Sequence, residues 1–295
     1  MRRTLLLFCL VVSACVPSDD AVEGEPVGSV PTESLPGSIE APSLPDDGVP
    51  VVVRSVRDGD SLRVEMPDGS SEEVRLLGIN TPERDECLGD SSREATERLI
   101  DGENVVLSGS GDADRDQFGR LLRYVYLADG TLVNEQLLLS GAALALSNDH
   151  EFELIFRDAE DTAFEAGLGL WGIGACGEMG STEIRIVDIE YNPPGPDDEN
   201  VNDEWVAFAN TGSVTVDVSG WVVRDESTRH RFTFPGGTEL SAGQEVVLRS
   251  GCGDATDSTY FWCASDPVWS NGGDTALLLD SNGNVIDRLW YQGDR

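Results

Sequence analysis

The 295-residue sequence contains no lysine. Its 20 basic side chains are all arginines, and 55 aspartates and glutamates oppose them, so the formal net charge is −35 at pH 7. A chain with this charge repels nucleic acid at long range, which excludes binding through a broad basic surface. The acidic excess is typical of a soluble surface suited to a salty medium, and the missing lysine is equally typical of a GC-rich genome.

Long hydrophobic runs are also missing. The apolar run in MRRTLLLFCLVVSAC, residues 1–15, is too short to span a bilayer stably. Its arginines, apolar stretch and small residues predict a secretory signal peptide. Residues 12–15 resemble the bacterial lipobox, which implies export and a lipid anchor at Cys15 on the outer side of the membrane. An ordinary soluble secreted protein is the alternative.

The next segment lacks basic and aromatic residues. Residues 16–50 contain seven prolines and eight acidic residues. Such a segment cannot bury enough apolar surface to fold. We therefore predict a disordered acidic tether over residues 16–49.

The pattern changes at residue 50. VVVRSVRDGDSLRVEMPDGSSEEVRLLGI, which begins at Val51, indicates three strands separated by Asp-Gly turns. NVVLSG and RLLRYVYL indicate two more strands. Three segments have helical patterns: SSREATERLIDG, LVNEQLLLSGAA and EFELIFRDAEDTAFEAG. The first of these helices is expected to have a serine cap and to stop at Gly102. Five short strands interleaved with helices predict a small closed barrel in a domain spanning residues 50–177.

Side chains suited to metal-assisted phosphodiester cleavage lie in the turns and strand ends of this domain. Oxygen ligands bind a hard cation. Guanidinium groups bind phosphate and stabilise its developing charge, and a further carboxylate orients or deprotonates water. The candidates are Asp58, Asp60, Arg75, Asn80, Thr81, Glu83, Asp116 and Arg120.

The motifs RSVRDGDSLRV, VRLLGINTPE, DQFGRLLRYVY and GLGLWG resemble the staphylococcal nuclease family over about residues 50–176. This resemblance implies an OB-fold barrel with three helices and a Ca²⁺-dependent endonuclease and exonuclease activity on DNA and RNA. By motif, the metal ligands would be Asp60, Asn80 and the backbone carbonyl of Thr81. The catalytic residues would be Arg75, Glu83 and Arg120.

Asn80 departs from the family, which usually has aspartate at this place. Asparagine keeps one ligand oxygen and loses a negative charge, so we expect weaker Ca²⁺ binding with the same reaction type. Plain structural explanations also exist: Asp-Gly is a common turn, Arg75 and Glu83 can be surface charges, and Arg120 can pair with Asp116. The joint presence of these residues in the family order favours catalysis.

The four cysteines beyond the signal peptide predict two disulfides in an exported protein. Cys87 follows the candidate loop and Cys176 ends the first domain, with two free thiols as the alternative. Cys252 and Cys263 would close a ten-residue loop.

After a linker at residues 178–182, short strands with Gly, Asn and Pro turns predict an immunoglobulin-like β-sandwich at residues 183–295. Residues 183–291 resemble the lamin-tail domain, which implies a binding or spacing module of unknown ligand and no catalytic residue. His230 lies between Arg229 and Arg231 in the one basic cluster of this half. The cluster can contact phosphate or form a solvated strand edge.

These features predict a mainly β protein with helices, monomeric, exported and membrane-anchored. The leading functional interpretation is a Ca²⁺-dependent nuclease acting on extracellular DNA or RNA. The alternative is a weak or inactive surface protein that binds nucleic acid or mediates adhesion. Asn80 and the acidic surface favour the alternative, whereas the retained carboxylates and arginines favour the enzyme.

Overall fold

A computed structural model describes residues 42–100, 104–109, 114–147, 150–196, 199–227 and 229–294. The predicted signal peptide, Cys15, residues 16–41 of the tether and the helix stop at Gly102 lie outside these residues. The described residues form one compact unit. Within the described ranges no helix is long and apolar enough to cross a bilayer.

Five strands of the first half close into a barrel, as predicted. Around the barrel they are β1 (Val49–Val56), β2 (Ser61–Glu65), β3 (Ser71–Leu76), β6 (Leu121–Tyr126) and β5 (Asn104–Ser108). β3 and β6 run parallel, and the other neighbours are antiparallel. Fully buried apolar side chains fill the interior, among them Leu62, Val64, Val74, Val105 and Val125.

β1 begins earlier than predicted, at the last residue of the predicted tether. Val49 and Pro50 pair with Leu107 and Val106 of β5, so these two residues belong to the barrel. A separate two-stranded ladder joins β4 (Ile79–Asn80) to β7 (Leu144–Ala145). This ladder fixes the chain immediately before the candidate loop.

Three helices pack against the barrel: α1 (Gly89–Ile100), α2 (Val133–Leu139) and α3 (Glu153–Glu165). The serine cap predicted for α1 is wrong, because the helix already begins at Gly89. The Ser92 hydroxyl points inward and donates to the Ala142 carbonyl at 2.7 Å instead of capping the helix. α3 has the predicted apolar stripe, with Phe156, Ala159 and Ala163 buried.

The second half is a β-sandwich, as predicted. One four-stranded sheet contains, in order, β12 (Arg231–Thr233), β11 (Val222–Arg224), β16 (Gly273–Leu279) and β17 (Val285–Gln292). The other contains β15 (Thr259–Phe261), β14 (Glu245–Arg249), β9 (Trp205–Asn210) and β8 (Ile184–Glu190). A short ladder joins β10 (Val216–Asp217) to β13 (Glu239–Leu240). Trp221 and Trp269 lie in the core between the sheets.

The two domains pack directly against each other. Leu144, Ala163 and Trp171 of the first domain form a buried cluster with Leu277 of the second. Met179, in the predicted linker, packs against the sandwich core. The second domain is therefore docked on the first rather than spaced away from it.

Two disulfides connect the predicted cysteine pairs. Cys87 is bonded to Cys176 across 89 residues, and Cys252 is bonded to Cys263. The first joins the segment after the candidate loop to the end of the nuclease-like domain.

Candidate active site

The predicted site residues surround one open cleft of about 730 Å³. Its size falls in the range of pockets that bind small ligands. Seven of the eight candidates line it, and the eighth, Asp116, pairs with the cleft residue Arg120. The candidates in the lining are Asp58, Asp60, Arg75, Asn80, Thr81, Glu83 and Arg120.

The turn between β1 and β2 brings its two aspartates to the cleft. The backbone N–H of Asp60 donates to the Asp58 carboxylate at 3.2 Å, which stabilises the turn. Gly59 packs so closely on Thr81 that an added Cβ would lie 2.6 Å from the Thr81 Cγ2 atom. Only glycine permits this approach, and the Thr96 hydroxyl of α1 donates to the Gly59 carbonyl from the other side.

Asp60 is the buried centre of the site, with only 5% of the residue exposed. Its Oδ2 accepts hydrogen bonds from the backbone N–H and the hydroxyl of Thr81, at 2.8 and 3.0 Å. Its Oδ1 accepts from the Ser61 hydroxyl at 3.1 Å, and Arg75 Nη2 lies 3.2 Å from Oδ2. These contacts compensate for the cost of burying a carboxylate.

Arg75 projects from β3 and is held by the backbone of the next turn. Its Nη1 donates to the carbonyls of Leu76 and Ile79, at 2.6 and 2.7 Å, and its Nη2 donates to Asn80 Oδ1 at 3.1 Å. The guanidinium is therefore fixed before any ligand arrives. The surface-strand alternative for Arg75 is wrong, because only 14% of the side chain is exposed.

Arg120 lies opposite, at the start of β6. Its Nε donates to Asp116 Oδ2 at 2.6 Å and its Nη1 to the Ser61 hydroxyl at 3.3 Å. The sequence offered pairing with Asp116 and a role in the cleft as alternatives, and both occur together. Phe118, 75% exposed, lies beside it on the rim with its ring centroid 5.5 Å from the guanidinium.

Glu83 projects from the loop that follows β4. Loss of hydration raises the pKa of Glu83 above its ordinary value, and the negative charges of Asp60 and Asp58 raise it further. Burial, and then the Asp60 charge, likewise raise the pKa of Asp58. The carboxylates of Asp58, Asp60 and Glu83 thus lie in one cleft and repel one another.

The Asn80 side chain uses both ends of its amide. Its Oδ1 accepts from Arg75, and its Nδ2 donates to the backbone carbonyl of Glu226 at 3.0 Å. Glu226 belongs to the second domain, and Ser227 and Arg229 of the same connection line the cleft. Sequence reasoning placed no second-domain residue in the cleft, although the basic cluster around His230 was an available signal.

A second contact between the domains reaches the loop of Glu83. The Glu83 N–H donates to Glu86 Oε2 at 3.0 Å. Arg231 is hydrogen-bonded to Glu86 Oε1, and Arg224 Nη1 lies 3.7 Å from Oε2. Sequence reasoning missed this arrangement, because both arginines are distant from Glu86 along the chain.

The Glu226 carboxylate is buried between the domains. It accepts hydrogen bonds from the N–H and hydroxyl of Ser147 and from the Thr275 hydroxyl. Arg157 Nη2 lies 3.8 Å away, and the buried Asp274 accepts from the Glu226 N–H at 3.3 Å. Burial raises the pKa of Glu226 to about 7 despite the bonds from Ser147.

The donors assigned to a cation by resemblance are all hard oxygens: the Asp60 carboxylate, the Asn80 amide and the Thr81 carbonyl. The repulsion between Asp60 and the neighbouring carboxylates of Asp58 and Glu83 is what a cation would relieve. Among the described residues no group of three or more His, Cys, Asp or Glu side chains is arranged to hold a metal. A carboxylate, an amide oxygen and a backbone carbonyl fit a hard cation in their chemistry.

A second cavity, of about 610 Å³, lies between β1 and α1. Its arginines are neutralised locally: Arg54 pairs with Glu65, and Arg93 pairs with Glu97. It contains no set of groups for phosphate chemistry, so the polar cleft is the candidate active site.

The first domain thus combines a closed five-stranded barrel with a cleft that holds a buried carboxylate and two positioned arginines. Residues 73–172 match the staphylococcal nuclease homologue family, and residues 178–293 match the lamin tail domain. The chain belongs to the staphylococcal nuclease family, with a lamin tail domain following the nuclease domain.

Several relatives match the nuclease domain. An uncharacterized endonuclease of Escherichia coli O157:H7 is 31% identical over 41% of this chain and 74% of its own length. A similarly named protein of Haemophilus influenzae is 29% identical over 40% of this chain and 64% of its length, which is less than two thirds of that relative. A thermonuclease of Staphylococcus intermedius is 29% identical over 42% of this chain and 77% of its length.

Proposed function

We propose that this protein is a metal-dependent phosphodiesterase that hydrolyses DNA or RNA. The observation that supports it most is the meeting of Asp60, Arg75, Glu83 and Arg120 in one cleft. These residues come from four separate turns and strands, and a purely structural explanation for each one does not account for their convergence.

In the proposed reaction, water attacks phosphorus, the bond to the leaving oxygen breaks, and the leaving oxygen takes a proton from solvent water. Glu83, which lines the cleft beside Asp60 and the arginines, accepts a proton from the attacking water. Arg75 and Arg120 stabilise the charge that develops on the phosphoryl oxygens. Both are fixed by hydrogen bonds in advance, so little reorganisation is needed during the reaction.

Ca²⁺ is the proposed cofactor. Asp60, Asn80 Oδ1 and the Thr81 carbonyl would hold it. When bound, it supplies positive charge that polarises the phosphoryl group. The Asn80 oxygen already accepts a bond from Arg75, and its second lone pair remains for a cation.

The proposal includes export and attachment to the membrane. It is supported by the signal-like residues 1–15, the lipobox cysteine and the lysine-free acidic composition. Under this proposal the substrate is extracellular DNA or RNA and the anchor is the lipidated Cys15.

The test is release of acid-soluble nucleotides by the full chain, with Ca²⁺ titrated against chelator. We expect Ca²⁺-dependent release, and a loss of at least about a hundredfold in kcat for Glu83→Gln. Glu94→Gln removes an exposed carboxylate of α1 outside the cleft and is the matched control. A wild-type chain that binds an oligonucleotide but releases no nucleotides at any Ca²⁺ concentration would instead support the adhesion alternative.

A further inference from the structure

The cleft has a wall that the nuclease domain does not supply. Ser227 and Arg229, from the connection between β11 and β12 of the lamin tail domain, line it together with Arg75 and Arg120. The domain to which no catalytic residue was assigned therefore reaches the substrate side of the site.

Both ends of this connection are fixed to the nuclease domain. At one end, the Glu226 carbonyl accepts from Asn80 while its carboxylate accepts from Ser147. At the other end, Arg231 is bonded to Glu86. Arg229 lies between these two attachments, so its position relative to the cleft is set by the fold.

Arg229 differs from the other arginines of the cleft. Arg57 lies 3.3 Å from Glu73, Arg75 lies 3.2 Å from Asp60, and Arg120 lies 2.6 Å from Asp116. For Arg229, no carboxylate of the described residues lies within 4.0 Å of its guanidinium, and the residue is exposed. Arg185 of β8 is also exposed and also lacks a carboxylate within 4.0 Å among the described residues, so it is the position of Arg229 in the cleft lining that distinguishes it.

We propose that Arg229 binds a phosphate of the nucleic-acid backbone beside the scissile phosphate, so that the lamin tail domain forms part of the substrate site. This inference rests on the proposed function. A guanidinium offers paired donors matched to phosphate oxygens. Ser227 does not compete for this role, because its hydroxyl donates to the Asp225 carboxylate and accepts from the Arg229 N–H.

A phosphate away from the reacting one is bound equally in the ground state and the transition state. Loss of the Arg229 contact with that phosphate therefore raises KM and leaves kcat nearly unchanged. The contact also displaces about one counterion, so its removal lowers the salt dependence of binding by about one unit of slope. A purely structural role for Arg229 would change neither quantity.

The experiment uses the full chain and a fluorescent single-stranded oligonucleotide, with binding measured in chelator and turnover in Ca²⁺. We expect Arg229→Ala to weaken binding by about tenfold and to lower the salt slope by about one. Arg185→Ala removes the same charge from an exposed residue of β8 outside the cleft, and should change binding less than about twofold.

Equal binding by wild type and Arg229→Ala would overturn the inference, as would an equal loss in Arg185→Ala or a fall in kcat at constant KM. The two proposals fail separately. Turnover by the wild type without an effect of Arg229 overturns only the inference. Binding that depends on Arg229 without any turnover overturns only the proposed hydrolysis.

Discussion

The Asn80 amide donates a hydrogen bond to the Glu226 backbone carbonyl at 3.0 Å, across 146 residues of sequence. An aspartate, the usual family residue, has no N–H to donate there. Asparagine at position 80, which the sequence suggested would be a weakened metal ligand, thus also forms a hydrogen bond between the two domains. The asparagine suits a chain in which a second domain covers one side of the cleft.

Asn80→Asp tests this explanation. We expect the free energy of unfolding in chelator to fall by about 1–3 kcal/mol, because a carboxylate would face an acceptor and leave it unpaired. Asn80→Ala removes the bond without adding a charge and should cost less. Denaturant unfolding of the full chain measures both, and an Asn80→Asp chain as stable as wild type would refute the structural role.

Arg75 and Arg120 should each be needed for turnover. Arg75→Ala and Arg120→Ala are expected to lower kcat by about a hundredfold or more, since each removes a positioned donor. Arg→Lys should restore little, because lysine lacks the planar fork. Arg63→Ala, an exposed β2 arginine paired with Glu73, is the control. Normal initial rates in either cleft variant would contradict its assignment.

Arg231 should act on turnover from the lamin tail domain. Its bond to Glu86, which accepts from the Glu83 N–H, positions the loop of the proposed base. We expect Arg231→Ala to lower kcat by about tenfold, because the orientation of Glu83 is disturbed, and to raise KM as well, because the same bond anchors the connection that carries Arg229. Arg231→Lys keeps the charge and should recover part of the loss. A change in KM alone would exclude positioning.

Stability should fall as pH rises from about 4.5 to about 7. Burial raises the pKa of Glu226 from 4.5 to about 7, so in this window the folded chain keeps a proton that the unfolded chain has lost. The buried Asp274, whose pKa is raised by burial and by the Glu226 charge, acts in the same direction. The positive charge of Arg157 lowers the pKa of Glu226, and the negative charge of Glu160 raises it.

Glu226→Gln should make the pH dependence shallower, because glutamine has no proton to lose. The measurement is the urea midpoint of the full chain between pH 4.5 and 8. Glu245→Gln, which removes a carboxylate from an exposed residue of β14, controls for net charge. An unchanged pH profile in Glu226→Gln would assign the dependence to other groups.

Much of the candidate site followed from local sequence. Asp-Gly turns, alternating strands and a helical stripe depend on neighbouring residues, so the barrel and the placement of Asp60 and Arg75 could be predicted. The start of α1 could not, because Ser92 bonds to Ala142 rather than capping the helix. The orientation of the Ser92 hydroxyl depends on Ala142, a residue 50 positions away along the chain.

The sequence by itself determined the two domains, the nuclease-domain candidates that line the cleft and the cysteine pairs, because turn chemistry, periodicity and ordered motifs are written in short segments. Only the tertiary structure decided that the lamin tail domain packs on the nuclease domain and places Arg229 in the cleft. The contacts responsible join Asn80 to Glu226 and Glu86 to Arg231, each pair about 145 residues apart. Such contacts depend on how two folded surfaces fit together, which no local pattern encodes.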